Sequence, residues 1–333
     1  MVFSNKVTIS DIAKALNVSQ STVSRALSGK GRISEATRKR VYDYIEDHNF
    51  TLSNFANKFA QPKNFTIGVV LPAEQNLVEL PFFQGVLLGI CESAATLDYD
   101  VIVITSQGND ISSLVRIIDR NKVDGIILTR SLVHDLPAEF LKGKNIPFVV
   151  IGSTKEKNIT EIDNDHQEAC RELISILAMK GIRNFGLIGG DTEHIVTGRR
   201  YQGFLEGLAQ SSIDMDSEMI FTNVNSQLLI DHAVKKLMEN NADCIICMDD
   251  FLCTSVLAVL SNEGYRIPED IKVASFYNSS YLEKYSPPIT ALNFNVKELG
   301  TTACKALIEE IHGGISGNKI LLNYEVVLKQ STK

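Results

Sequence analysis

Three kinds of feature are scarce or missing in this chain of 333 residues, and each narrows what it can be. Cysteine is scarce: six, at scattered positions, do not make the framework of a small disulfide-stapled domain. Cys244 and Cys247 have the spacing of a redox or metal pair, but no second pair accompanies them. They also lie in an apolar run over 244–248 that reads as a buried strand, so a plain core role is expected and no metal site. Long apolar runs are missing. None approaches the roughly 20 residues needed to cross a bilayer, and Lys6 leads into a polar helix rather than the apolar centre of a signal peptide. The expected setting is cytoplasmic and reducing, with no membrane contact. Phosphate-cradling glycine loops are missing too. No Gly-x-Gly-x-x-Gly follows the first strand of either α/β half, and Gly189-Gly190 is only a strand-end turn. A nucleotide-dependent enzyme is disfavoured, and no cofactor is expected.

What is present begins with charge. The chain carries −7 overall, yet residues 1–65 carry +5, which leaves −12 for the remainder. A basic head on an acidic body fits DNA contact confined to one end. A solvated basic face would give the same count. The length calls for two or three domains.

The head is organised around residues 8–28, which read as two short helices and a tight turn. Ser10 is expected to cap the first helix, with Ile12, Ala13 and Leu16 on one face. Asn17 and Val18 make the break, Ser19 caps the second helix, and Val23, Ala26 and Leu27 form its buried stripe. That leaves Gln20, Ser21, Thr22, Ser24 and Arg25 facing outward. Gln and Arg can each make paired hydrogen bonds to a base edge, and small hydroxyls reach phosphates without bulk. An ordinary surface helix pair would show the same spacing. A glycine-containing loop over 28–34 follows, and Ser34 caps a third helix whose inner face is Thr37, Val41, Tyr44 and Ile45.

These residues resemble the helix-turn-helix of the lac repressor (LacI/GalR) family of bacterial regulators. The similarity runs through Val7–Ala13, Val18-Ser19, Thr22–Leu27 and Ile33–Val41. It implies that Gln20, Ser21 and Arg25 choose the operator and that Thr8, Ser19, Thr22, Ser24 and Ser34 hold the DNA backbone. Residues 50–64 then form the linker, marked by a proline and several amides. In the family this segment becomes a hinge helix that presses an apolar side chain into the minor groove, which here implies Phe59. The chain departs from the family at Leu52-Ser53 and at Asn57-Lys58. Packing of the head against the body is the other role open to Phe55 and Phe59.

From residue 65 short apolar strands alternate with helices: strands near 65–71, 101–105, 125–128 and 147–151, helices near 82–97, 112–121 and 136–142. Asp163-Asn164-Asp165 interrupts. The pattern then restarts with a helix to Lys180, a strand at 184–188, a helix through 200–210, and strands at 244–248 and 271–276. Such alternation means parallel sheets covered on both faces. The body is likewise similar to that of the lac repressor family, and through it to periplasmic sugar-binding proteins. The resemblance implies an all-α head over 1–49, a linker over 50–64, and a ligand-binding and dimerisation body over 65–330. The body would be two doubly wound parallel-sheet lobes, one from 65–162 and 293–318, the other from 163–292 and 319–330.

Strand ends facing the cleft supply the candidate effector site. Phe82 and Phe83 suit the apolar face of a sugar ring, with one of the two expected in the core. Thr129 and Arg130 end a strand. Asp163 and Asn164 sit at a crossing, where Asp163 could accept sugar hydroxyls or cap the next helix. Arg200 falls on the family's Arg-x-x-Gly, and Asp249 on a ligand-contacting position. Tyr277-Asn278 replaces a common Asp-Asp, and Phe294 could stack. The set favours a neutral saccharide over a phosphorylated or purine ligand. The segments 163–165 and 275–279 resemble maltose-operon regulators.

The expected function is a homodimeric repressor of carbohydrate-utilisation genes. It would bind double-stranded operator DNA and respond to a small sugar. No catalytic residues are assigned. The alternatives are a sugar receptor without DNA function, and a sugar-processing enzyme using Asp163, Asp165 or His166.

Overall fold

The computed structural model describes residues 9–28, 33–47, 64–74, 81–214 and 216–333. Two compact units divide between Asn64 and Phe65.

In the first unit, α1 (Ile9–Ala15), α2 (Gln20–Ser28) and α3 (Glu35–Asp47) surround a small core of Ile12, Ala13, Val23, Ala26 and Val41. Leu16, Val18, Ile33 and Tyr44 pack partly against it. Asn17 takes a left-handed φ of 50°, a conformation that amide side chains tolerate, and this ends α1. Ser19 then accepts the Thr22 N–H at 3.1 Å, and Ser34 accepts that of Thr37 at 3.2 Å, so both hydroxyl caps form. The described part of α1 starts at Ile9, so Ser10 lies within the helix rather than ahead of it, and its side chain lies outside the described residues. Arg40 donates to the Leu16 carbonyl at 3.0 Å and fastens α3 to the end of α1. The side chains of Leu27 and Ile45 lie outside the described residues.

The second unit holds two six-stranded sheets. The first runs β11-β5-β4-β3-β1-β2, with β1 Thr66–Pro72, β2 Asp100–Ser106, β3 Gly125–Leu128, β4 Phe148–Ile151, β5 Thr160–Asn164 and β11 Lys319–Leu322. All its pairings are parallel. The second runs β12-β10-β9-β8-β6-β7, with β6 Phe185–Ile188, β7 Ile220–Phe221, β8 Cys244–Cys247, β9 Lys272–Ser275, β10 Thr290–Phe294 and β12 Tyr324–Val327. Only β12 is antiparallel to its neighbour. The inner strands β3, β4, β6 and β8 are buried at every residue, which is why they read as unbroken apolar runs. Cys244 and Cys247 sit inside β8, fully buried.

Helices cover both sheets. In the first lobe they are α4 (Pro81–Thr96), α5 (Ser112–Asp119) and α6 (Leu136–Lys144). The second lobe has α7 (His166–Met179), α8 (Ile195–Gln210), α9 (Gln227–Glu239), α10 (Asp250–Asn262) and α11 (Ser280–Lys284). The last helix, α12 (Val296–Ile311), returns to the first lobe and buries Leu299, Ala303, Cys304, Leu307 and Ile308 against its sheet.

The chain crosses between lobes three times. Because β5 ends at Asn164 and belongs to the first sheet, the first crossing follows residue 164 rather than 162. The second follows Phe294 rather than residue 292. The third corrects an assignment: β11 pairs with β5 in the first sheet, so only residues from Tyr324 onward return to the second lobe. Strand direction cannot be read from an isolated apolar tetrapeptide, and β11 and β12 are separated by one residue.

Candidate effector cleft and DNA-contacting helix

On the head, α2 presents Gln20, Ser21 and Arg25 to solvent, with Thr22 half-buried. Ser19 Oγ lies 2.7 Å from Ser21 Oγ and 2.8 Å from Thr22 Oγ1, so three hydroxyls cluster at the N-terminus of α2. A helix N-terminus with clustered, exposed hydroxyls suits a phosphate oxygen. Ser34 is exposed at the start of α3. Thr8, Phe59 and the Ser24 side chain lie outside the described residues.

Between the lobes lies a cavity of about 440 Å³. Its walls come from the C-terminal ends of strands in both sheets, as expected for facing α/β lobes. The first lobe contributes Glu74 after β1, Phe82 and Phe83 on the first turn of α4, Thr129 to Ser131 after β3, and Asp163 in β5. From the second lobe come Asp191 and His194 after β6, Arg200 on α8, Asn223 and Asn225 after β7, Met248 to Phe251 after β8, and Tyr277 after β9.

Eight expected residues thus share one cavity: Phe82, Phe83, Thr129, Arg130, Asp163, Arg200, Asp249 and Tyr277. Three are placed outside its lining. Successive strand residues face opposite ways, so Asn164 turns away from the side that Asp163 faces, and it is 2% exposed. The Asn278 amide donates to Glu283 at 2.9 Å and ties its turn to α11. Phe294 lies behind the wall, 4.8 Å from the His166 ring and stacked 6.2 Å from Tyr277. Both Phe82 and Phe83 face the cleft, while Phe83 is also buried, and Phe82 packs partly against the cores of both lobes.

The charged groups are held in distinct ways. Arg200 donates to the Met248 carbonyl at 2.6 Å, which fixes its guanidinium at the end of β8. Arg130 bridges Glu74 at 2.9 Å and the Gly108 carbonyl at 2.9 Å. Burial pushes Glu74 up, but the Gly108 N–H and Arg130 together bring it below the usual carboxylate range. The Thr129 hydroxyl is committed to the Val70 carbonyl at 2.7 Å. Asp163 does not cap α7; that task falls to Asp165, which accepts the Glu168 N–H at 3.2 Å. Burial raises Asp163 to about 6, against hydrogen bonds from Ser153 and the Asn164 N–H. Asp250 is raised to about 6 by burial and by the neighbouring charge of Asp249. Burial also raises Asp249, which caps α10 by accepting the Leu252 N–H at 2.8 Å. His166 is held neutral by burial and by Arg200, and His194 is lowered by burial and by Arg130.

One side of the cleft is bridged directly. Leu132 and His194 form an antiparallel bridge between lobes, with Val133 N–H donating to the Glu193 carbonyl at 2.8 Å. Glu74, Asp191, His194, Asp250 and Phe251 escaped the sequence reading. Each follows a strand within a few residues, and that was the available signal.

The comparisons with known proteins fit this geometry. Residues 8–53 match the model of bacterial regulatory proteins of the lacI family. Residues 158–332, over half the chain, match that of the periplasmic binding protein-like domain. The chain belongs to the LacI family. This LacI-family protein is a DNA-binding transcriptional regulator with a helix-turn-helix head and a periplasmic-binding-protein-like body. It is 25% identical over 337 residues to the HTH-type transcriptional repressor PurR of Photobacterium profundum, covering 98% of each chain. Its structure is similar to that of the probable maltose operon transcriptional repressor of Staphylococcus aureus. The TM-score is 0.76 at 27% identity, over 82% of this chain and 99% of that one. It also shares the fold of the lac repressor dimer bound to operator and an anti-inducer, with a TM-score of 0.70 at 20% identity over 98% and 99% of the two chains. Among the described residues no helix is long and apolar enough to cross a membrane.

Proposed function

We propose that this regulator is a cytoplasmic homodimeric repressor of carbohydrate-utilisation genes, released from its operator by a neutral saccharide of the maltose type. The observation that carries the effector class is the balance of groups around the cavity. Five carboxylates line it against two guanidinium groups, one already paired with Glu74, and both lining histidines are shifted towards the neutral form. Sugar hydroxyls donate to carboxylates, and apolar ring faces lie against Phe82 and Tyr277. A phosphate or another anion would meet an excess of negative charge. The maltose operon named for the Staphylococcus aureus relative supports the same class.

In this reading Asp163, Asp249 and Arg200 bind hydroxyls, Phe82 and Tyr277 hold the ring, and Thr129, Arg130 and Phe83 shape the pocket. Asn164, Asn278 and Phe294 support it from behind. Gln20, Ser21 and Arg25 read bases. Thr8, Ser19, Thr22, Ser24 and Ser34 grip phosphates, and Phe59 enters the minor groove. Two heads on one dimer read a near-palindromic operator. The sugar acts only through a difference in affinity between operator-bound and released states, a coupling of about 1–3 kcal/mol in systems of this kind.

The test has two stages. Selection from random duplexes should yield a near-palindrome. Mobility-shift titration on that site with maltose and other sugars should then show release by at least one of them. A protein that selects no palindrome defeats the repressor reading. Selection with no sugar response defeats the effector reading alone.

A further inference from the structure

Resting on the saccharide reading above, we infer that the effector has at least two sugar rings and that Phe251 is the platform for the outer one. Four aromatic rings line the cavity. Phe83 and Tyr277 are buried and Phe82 is half-buried, so these three form an inner wall. Phe251 differs: it lines the same cavity yet leaves 42% of its surface exposed. A single exposed phenylalanine is unremarkable by itself. This one sits on the first turn of α10, which the Asp249 cap holds in place. It adjoins Asp250 and shares the cavity lining with Asp191 and Asn225, both exposed. An aromatic face in a cavity that also offers exposed carboxylate and amide groups is what a second pyranose needs: a surface for its C–H face and acceptors for its hydroxyls.

Volume points the same way. The cavity of about 440 Å³ equals about fifteen waters of liquid volume. A hexose has only about twelve non-hydrogen atoms, and covalently bonded atoms pack more densely than liquid water. One ring against Phe82 and Tyr277 therefore leaves much of the space to solvent. A second ring continues towards Phe251 and displaces that water.

Phe251 is thus a specificity-determining residue that selects chain length. Calorimetric titration of the full-length protein with glucose, galactose, maltose, cellobiose and lactose tests this. One disaccharide should bind at least tenfold more tightly than its constituent hexoses. Phe251→Ala should lower that preference about three- to tenfold, the loss expected for one aromatic contact, while Phe251→Trp retains it. Sedimentation of both variants should match the wild type. A hexose that binds as tightly as any disaccharide overturns the inference and the maltose type with it, and leaves standing the reading of a neutral saccharide effector. Equal losses for hexose and disaccharide in Phe251→Ala also overturn it, as does a change of oligomeric state, which would make Phe251 a subunit contact. Absence of binding by every sugar in the panel rejects the saccharide reading and this inference with it.

Discussion

Replacing Gly203 by alanine and replacing Gly198 by alanine should have opposite effects, although both lie on α8. A methyl group at Gly203 would stand 2.2 Å from the Gln167 carbonyl oxygen and 2.9 Å from the Cys170 Cβ. Ordinary contact begins at 3.4 Å, so α7 and α8 must part by about 1.2 Å there. The obstacle is backbone on the facing helix, and no rotamer change relieves it. The inner face of α7, including Ala169, Cys170, Leu173 and Ile174, is fully buried and has little room to follow. Overpacking of this kind costs about 1–3 kcal/mol, and the obstruction by backbone places Gly203→Ala at the upper end. Alanine returns about 0.5–1 kcal/mol through helix propensity. The net loss is about 2 kcal/mol, or about 4–8 °C in the midpoint of the lobe's transition. A methyl at the exposed Gly198 meets nothing within 4 Å, so only the propensity gain of about 0.5–1 kcal/mol remains. Arg200 lies one turn before Gly203, so the displaced α8 should also weaken sugar binding. Calorimetric melting of the two full-length variants, with and without sugar, is the assay. If both variants move in the same direction, or Gly203→Ala stays within about 0.5 kcal/mol of the wild type, the packing argument is wrong.

Other outcomes follow from the site and the head. Asp163 and Asp250, both raised to about 6 from 3.8, hold protons in the folded state that the unfolded chain gives up at lower pH. Their contribution to stability is present on the acid side and is lost as pH rises through 6. Asp250→Asn should remove its share of that fall, on the order of 2–3 kcal/mol, in urea titrations between pH 4 and 7; an unchanged slope would reassign the group. Arg25→Ala should cost about 1–3 kcal/mol per half-site on the selected operator and little on random duplex, and equal losses on both would make it a phosphate contact. Arg200→Ala should raise the sugar concentration needed for operator release at least tenfold; failure of the sugar-free variant to bind operator would show a structural role instead. Cys244 and Cys247, fully buried in β8, should stay unreactive towards a thiol reagent until the lobe unfolds, and rapid labelling of native protein would place them elsewhere.

The sequence made the cores and most of the cleft legible because apolar runs and strand ends follow local rules. Ile12, Val23 and Val41 read as inward residues from helical spacing alone. The caps at Ser19 and Ser34 needed only a hydroxyl ahead of an apolar stripe. What escaped depends on contacts distant in sequence. Nothing local told β11 from β12, because sheet membership is set by whether residue 319 finds β5 or residue 324 finds β10. Asp163 or Asp165 could equally have capped α7, and only the strand's end at Asn164 decided between them. Phe294 read as a stacking residue because it falls at the second crossing between the lobes; that its ring stands behind Tyr277 is a fact of packing. Asp250 was overshadowed by Asp249, since the resemblance marked only Asp249, at the strand end, as a ligand-contacting position.

The three crossings have a consequence for how the protein is made. The first sheet is complete through β5 once residue 164 leaves the ribosome, but one of its faces is covered jointly by α4, already made, and by α12, which ends at Ile311. At about 5–20 residues per second, roughly 150 more residues take about 7–30 s to appear. During that interval Ile67, Val69, Ile127, Val149 and Ile162 have no partner helix from the C-terminal segment. The nascent chain therefore carries a half-covered β-surface for many seconds, with α4 packed on it and the α12 share open, and transiently exposed apolar surface of this kind is what chaperones bind. A premature stop anywhere after α4 and before α12 leaves the α12 share of that surface permanently open.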